Sequence, residues 1–237
     1  MKEKVLLSWS SGKDSGLALH ELKKDGCYEV VGLLTIVTEE YERISMHGVR
    51  TELIAQQAEN MGMLLERVYI PKEPSNEKYE TAMKEALLRY KDEGVSAVGF
   101  GDLFLEDLKA YREKRLAEVG LNAVFPLWKK DTKVLSLEFI RLGFKAVITC
   151  VDSQALDGRF SGREFDEQFL SELPGHVDPC GENGEFHSFV YDGPIFKDPV
   201  RFKKGGVVIR DDRFHFCELV TVKIKPPFQQ STRICKS

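Results

Sequence analysis

An α/β protein built on a doubly wound parallel sheet, followed by a smaller α+β region, is what this 237-residue sequence predicts. Three observations carry the expectation. Apolar runs of strand length alternate with helix-length segments through the first half. Those runs are continuously apolar instead of alternating, as strands covered by helices on both faces must be. Glycines at 26, 94 and 120 then punctuate the ends of helical segments, where a left-handed residue is needed.

The elements follow in order. Residues 4–8 are expected as a short buried strand, then the small-residue turn Ser10-Ser11-Gly12, then a helix over 15–24. Residues 28–37 continue as a β-rich apolar run, 50–61 as helix, 64–70 as strand, and 76–92 as helix. A strand over 95–100, a helix over 104–118 and a short strand over 123–125 complete the rhythm. Beyond Pro126 it weakens: a helix over 132–142, a strand over 145–150, a polar loop over 152–163, and a Gly- and Pro-rich stretch over 173–199. Two β segments, 207–209 and 217–224, precede a loose tail over 229–237. The expected division is therefore an α/β domain over 1–125 and a smaller α+β domain over 126–237.

Composition narrows the function classes. With 42% hydrophobic residues the chain can build a core, which excludes disorder and fibrous repeats. Its 34 Lys+Arg against 38 Asp+Glu leave a net charge of −4, so no global basic footprint attracts nucleic acid. The longest apolar run, around Val30 to Val37, falls short of the roughly 18 residues of a membrane helix. The short apolar stretch Val5-Leu6-Leu7 does not make a signal peptide, and the expected location is the cytoplasm. Cysteines at 27, 150, 180, 217 and 235 form no C-x-x-C pair, as expected of reduced thiols.

The chemistry concentrates first in Ser8-Trp9-Ser10-Ser11-Gly12-Lys13-Asp14-Ser15, between the first strand and the first helix. Small residues there let backbone N–H groups turn toward an anion, and a helix N-terminus adds partial positive charge. A Walker A loop is excluded, because Leu7 and Asp14 stand where that pattern needs Gly and Ser or Thr. The plainer alternative is a strand-to-helix turn capped by Asp14 or Ser15. In open α/β sheets, ligands lie beyond the carboxyl ends of the strands, which adds Gly99 and Asp102 to the candidates. Asp102 could hold Mg²⁺ or order Lys13, or simply cap the following helix. His47, just before a helix, could touch nucleotide or substrate or serve as a cap.

Ser10-Ser11-Gly12-Lys13-Asp14-Ser15 resembles the S-G-G-x-D-S signature of the PP-loop, or N-type, ATP pyrophosphatases, whose fold is the adenine nucleotide alpha hydrolase-like (HUP) α/β sheet. Ser11 departs from it where glycine is usual. Further motifs narrow the resemblance: His47-Gly48-Val49 leading into Gln56-Gln57-Ala58-Glu59, Gly101-Asp102, Pro126-Leu127-Trp128, and the long run Cys180-Gly181-Glu182-Asn183-Gly184-Glu185-Phe186-His187-Ser188-Phe189-Val190 with Asp192-Gly193-Pro194. Over about residues 4 to 197 these are similar, in order, to the diphthine–ammonia ligase family.

The resemblance implies a ligase that forms a C–N bond. ATP adenylates the diphthine carboxylate of translation elongation factor 2, and ammonium supplies the nitrogen, giving AMP, pyrophosphate and diphthamide. It implies ATP and Mg²⁺ as cofactors, with Ser8, Ser10, Ser11, Gly12, Lys13, Asp14 and Ser15 around the phosphates, and Asp14 as the metal ligand or an anchor behind the metal's ligands. Backbone groups near Ile36 would meet the adenine edge. Glu182 and Glu185 would attract and deprotonate ammonium, and His187 would orient the acyl-adenylate or share the proton. The polar segment 181–187 could instead be only a tight turn. Partners implied are elongation factor 2 and ammonium, without membrane or nucleic acid, with a homodimer as the assembly considered. Zinc at His176, Cys180 and His187 is disfavoured by spacing, and Cys150 is expected as a core thiol. Two competing functions stay in view: a PP-loop enzyme that modifies tRNA, and a non-catalytic ATP sensor.

Overall fold

The structure is a computed structural model, and residues 2–39, 43–44, 48–72 and 76–222 are described. His47, the tail over 229–237 and the end of the expected last strand lie outside the described residues. In chain order the elements are β1 (Glu3–Ser8), α1 (Lys13–Asp25), β2 (Tyr28–Thr38), β3 (Arg43–Ile44), α2 (Thr51–Met61), β4 (Leu65–Ile70), α3 (Asn76–Asp92) and β5 (Ala97–Gly99). There follow α4 (Glu106–Glu118), β6 (Asn122–Val124), α5 (Thr132–Arg141), β7 (Lys145–Asp152), α6 (Glu167–Glu172), β8 (Phe186–Asp192), β9 (Phe202–Arg210) and β10 (Phe214–Thr221).

Five parallel strands run in the order β4-β2-β1-β5-β6, and β3 adds antiparallel pairs to β2 at Val37 and Thr38. The chain leaves β1 toward β2 and β4 on one side and returns to β5 on the other. The strand order therefore reverses between β1 and β5, and the crevice beyond their carboxyl ends is where such a sheet takes ligands. The α/β doubly wound fold expected from the sequence is thus present. β1 shows why its apolar run is continuous: Val5 and Leu7 enter one core cluster and Leu6 the other, on the opposite face.

A second, antiparallel sheet has the order β8-β7-β10-β9. It is packed onto the first, since one cluster draws Leu17 and Leu22 from α1, Leu53 from α2, Phe139 from α5 and Phe189 and Val190 from β8. Burying rings such as Phe139 or Phe189 contributes roughly 2–3 kcal/mol each. No helix among the described residues is long and apolar enough to cross a membrane.

The second half departs from the expectation in five places. β7 runs on to Asp152, and a short 3₁₀ turn at Gly158–Phe160 interrupts the expected loop. α6 forms where no element is expected, because the Asp166 carboxylate accepts the Phe169 N–H at 2.7 Å and Phe169 is fully buried. β8 lies inside the Gly- and Pro-rich stretch, held by antiparallel pairing with β7. β9 begins at Phe202, ahead of the expected 207, because β10 pairs with its lysines in spite of their weak strand preference.

Candidate active site

Residues 9–12 turn the chain from β1 into α1, with Gly12 at the N-cap and Asp14 in the first turn. Ser11 adopts φ +68, the left-handed conformation that glycine takes freely, so the serine preserves the backbone angle at a cost. The exit of β5 presses against the first turn of α1. A Cβ on Gly101 would stand 2.8 Å from the Asp14 carbonyl carbon, so only glycine allows the approach. A cavity of about 210 Å³ lies between these two segments and the 180–188 loop that leads into β8. First-turn N–H groups of a helix lack acceptors four residues back; that of Lys13 is taken by Ser188, and Gly12, Asp14 and Ser15 line the cavity.

Lys13 is 3% exposed. Its Nζ donates to both carboxylate oxygens of Asp14 at 2.7 Å and to the Cys180 carbonyl, with the Phe165 and Phe186 rings each 5.7 Å away. Burial alone would drive the ammonium toward neutrality, but Asp14 and the neighbouring Cys180 and Glu182 hold its pKa above the ordinary lysine value. The cation is therefore fixed at the cavity wall. Ser10 Oγ donates to Ser15 Oγ at 3.2 Å, and Ser15 Oγ to the Gly12 carbonyl at 2.9 Å.

Glu182 faces the same cavity. Its Oε1 accepts the Leu103 N–H at 2.8 Å. Burial, reinforced by the Asp14 and Asp102 charges, pushes its carboxyl up to about 7 against the lowering pull of Leu103 and Lys13. His187, on β8 opposite Cys150, is pushed down to about 4 by burial and by the Lys13 charge, so its ring is neutral at pH 7.

Four expected site residues are placed elsewhere, each for a packing reason. Glu185 is 5% exposed and turned into its own loop, where its carboxylate accepts the N–H groups of Asp178 and Asn183 and the Asn183 amide, all at 3.0 Å. Gly99 sits beneath α1, where a Cβ would meet Leu22 at 2.9 Å. Ile36 lies on β2 two residues beyond Leu34, the last residue β1 pairs, and is not on the cavity wall. The Ser11 side chain is buried away from the cavity, with its hydroxyl unpartnered. The cavity thus gathers Ser8, Ser10, Gly12, Lys13, Asp14, Ser15, Asp102, Glu182 and His187.

Asp102 neither pairs with Lys13 nor caps a helix. It forms an ion pair with Arg112, at 2.5 Å from Nε and 3.1 Å from Nη2, and Leu105 is the N-cap of α4. Three residues outside the expected set complete the site. Arg112 stacks over Phe100 at 4.3 Å and lines the cavity. Ser188 Oγ accepts the Lys13 backbone N–H at 3.1 Å. Gln57, fully buried on α2, donates to the Ser11 and Val190 carbonyls and accepts from Trp9. A glutamine among Leu53, Ile54, Ala58 and Met61 on the buried face of α2 was the readable sign of that last role.

Among the described residues no three His, Cys, Asp or Glu side chains converge to hold a metal ion. Asp14, with 31% of its side chain exposed in the first turn of α1, fits a single ligand to a cation that phosphates carry in.

A polar cavity over a helix N-terminus, at the switch point of a parallel sheet and bordered by a loop from a second sheet, defines the candidate site of an α/β protein. Residues 1–123 match the diphthamide synthase N-terminal domain and residues 131–220 the diphthamide synthase C-terminal domain, and the chain belongs to that family. It is 26% identical over 224 residues to the diphthine–ammonia ligase of Danio rerio, covering 86% of this chain and 88% of the relative. It is 29% identical over 219 residues to that of Schizosaccharomyces pombe, covering 82% of this chain but 35% of that longer relative. With the Homo sapiens ligase the identity is 29% over 128 residues, 52% of this chain and 48% of the relative.

Proposed function

We propose that this chain is an ATP-dependent ligase that amidates a protein-borne carboxylate, the diphthine of translation elongation factor 2, using ammonium. The observation that carries the reading is the meeting of Lys13, fixed as a cation beside the first turn of α1, with Glu182, a carboxyl of pKa about 7, in one cavity. The naming of the relatives as diphthine–ammonia ligases supports diphthine and ammonia as the reacting pair.

A carboxylate is a poor electrophile until its oxygen becomes part of a leaving group. Attack of the substrate carboxylate on the α-phosphorus of ATP forms an acyl–adenylate and releases pyrophosphate; ammonia then attacks the acyl carbon and AMP departs with the C–O bond. This chain's residues divide the work. The first-turn N–H groups of α1 other than that of Lys13, the hydroxyls of Ser10 and Ser15, and the Lys13 ammonium hold the departing pyrophosphate charge. Asp14 would bind Mg²⁺, which neutralises phosphate charge when bound. Glu182 is poised at neutral pH to take the proton from ammonium, since only the neutral amine is nucleophilic. His187, neutral and on the cavity wall, would orient the acyl–adenylate without adding a competing charge. Glu185 braces the loop that presents Glu182.

Incubating the protein with ATP, ammonium and diphthine-bearing elongation factor should release AMP and pyrophosphate in step. A release that needed tRNA instead would favour a tRNA-modifying enzyme, and binding of ATP without turnover would favour a sensor.

A further inference from the structure

The strained residue of the cradle sits at the centre of a closed, buried hydrogen-bond network. A non-glycine residue keeps a left-handed backbone only where its surroundings over-determine it. Two donors converge on the Ser11 carbonyl: the Val190 N–H of β8 at 2.9 Å and Gln57 Nε2 of α2 at 3.1 Å. The same Gln57 amide donates to the Val190 carbonyl at 2.6 Å, and its oxygen accepts Trp9 Nε1 at 2.8 Å. Trp9, Ser11, Gln57 and Val190 are all at most 2% exposed. Every polar atom of the Gln57 side chain therefore has a task, and each task fixes either the cradle or the strand facing it.

We infer that Gln57 is the positioning residue that holds the anion cradle in its binding conformation, by clamping the Ser11 carbonyl to both Trp9 and the second sheet. The inference rests on the cradle being the ATP site. Gln57 touches no substrate; it acts through Ser11, whose backbone angle sets the direction in which the chain enters the first turn of α1 at the cavity. A glycine at position 11 would adopt that angle without help. The dependence on Gln57 is thus specific to a chain that carries serine there.

The test is ATP affinity, measured by calorimetry on the whole chain, together with thermal melting. The unmodified chain should bind ATP; if it does not, the ATP-site reading fails and not the positioning role. Gln57→Met fills the same volume without the three hydrogen bonds and should raise the Kd for ATP at least tenfold while still melting cooperatively. Adding Ser11→Gly to Gln57→Met should recover at least half of that loss on a logarithmic scale, which a merely structural glutamine would not permit. A Kd within twofold of the unmodified chain for Gln57→Met, or no recovery in the double variant, overturns the proposal. Should Gln57→Met fail to fold, Trp9→Phe carries the test: it removes the donor that orients the Gln57 amide. About a threefold loss of affinity is then expected, and no loss overturns the inference.

Discussion

Ser188 Oγ accepts the backbone N–H of Lys13 at 3.1 Å, although the two residues are 175 positions apart. The first helix of the parallel sheet is thus capped by a strand of the antiparallel sheet, both partners being buried. Ser188→Ala leaves that N–H without an acceptor and should cost about 1–2 kcal/mol, read as a lowered urea midpoint with an unchanged slope.

Ser11→Gly should raise stability. It removes a left-handed non-glycine angle and an unpartnered buried hydroxyl, against the added chain entropy of glycine in the unfolded state. A net gain of about 1 kcal/mol is expected in the same titration. A loss would mean that the serine hydroxyl supports the loop.

Glu182 gives a pH dependence of defined sign. Its folded pKa of about 7 lies above the ordinary 4.5, so its contribution to stability is present below 4.5 and is lost as pH rises through 7. Glu182→Gln should therefore make the protein relatively more stable at pH 8 than at pH 5, by about 1 kcal/mol once solvent screening is allowed for. In the same variant amide formation should fall by roughly a hundredfold. The inflection near pH 7 should vanish, leaving only the rise due to ammonium itself.

Glu185→Gln separates a brace from a base. Its three donors face one carboxylate, and an amide nitrogen in that place would oppose one of them. A destabilisation of about 1–3 kcal/mol is expected, with adenylation and amidation falling together. Loss of amidation alone, at full stability, would return Glu185 to proton transfer.

Lys13→Ala should cut AMP and pyrophosphate release by roughly a hundredfold, since it removes a fixed cation from the developing phosphate charge. Thermal melting checks that the chain still folds.

What was legible in the sequence follows from how locally each feature is determined. Val5-Leu6-Leu7 reads as a strand with both faces buried, and the glycine at 26 marks the end of α1 with its left-handed angle. The Ser10-to-Ser15 loop declares an anion site because small residues, a lysine and a helix start are adjacent in the chain. β8 was not legible, since the Gly- and Pro-rich stretch around it hides a strand that exists only by pairing with β7. The inward turn of Glu185 was equally hidden. Sequence alone does not separate Glu182 from Glu185; the Leu103 N–H on the first and the Asp178 and Asn183 N–H groups on the second distinguish them. Arg112 lay out of view because an arginine on a surface helix acquires a role only when Asp102 is brought beside it.

A cavity that both activates a carboxylate and delivers nitrogen to it must couple the two steps. The most direct measurement follows isotope-labelled ammonium into diphthine-bearing elongation factor 2 while AMP is quantified in the same reaction. One label incorporated at the modified histidine for each AMP released is the expected result. ADP and phosphate as the products, or AMP released with no label in the protein, would contradict it.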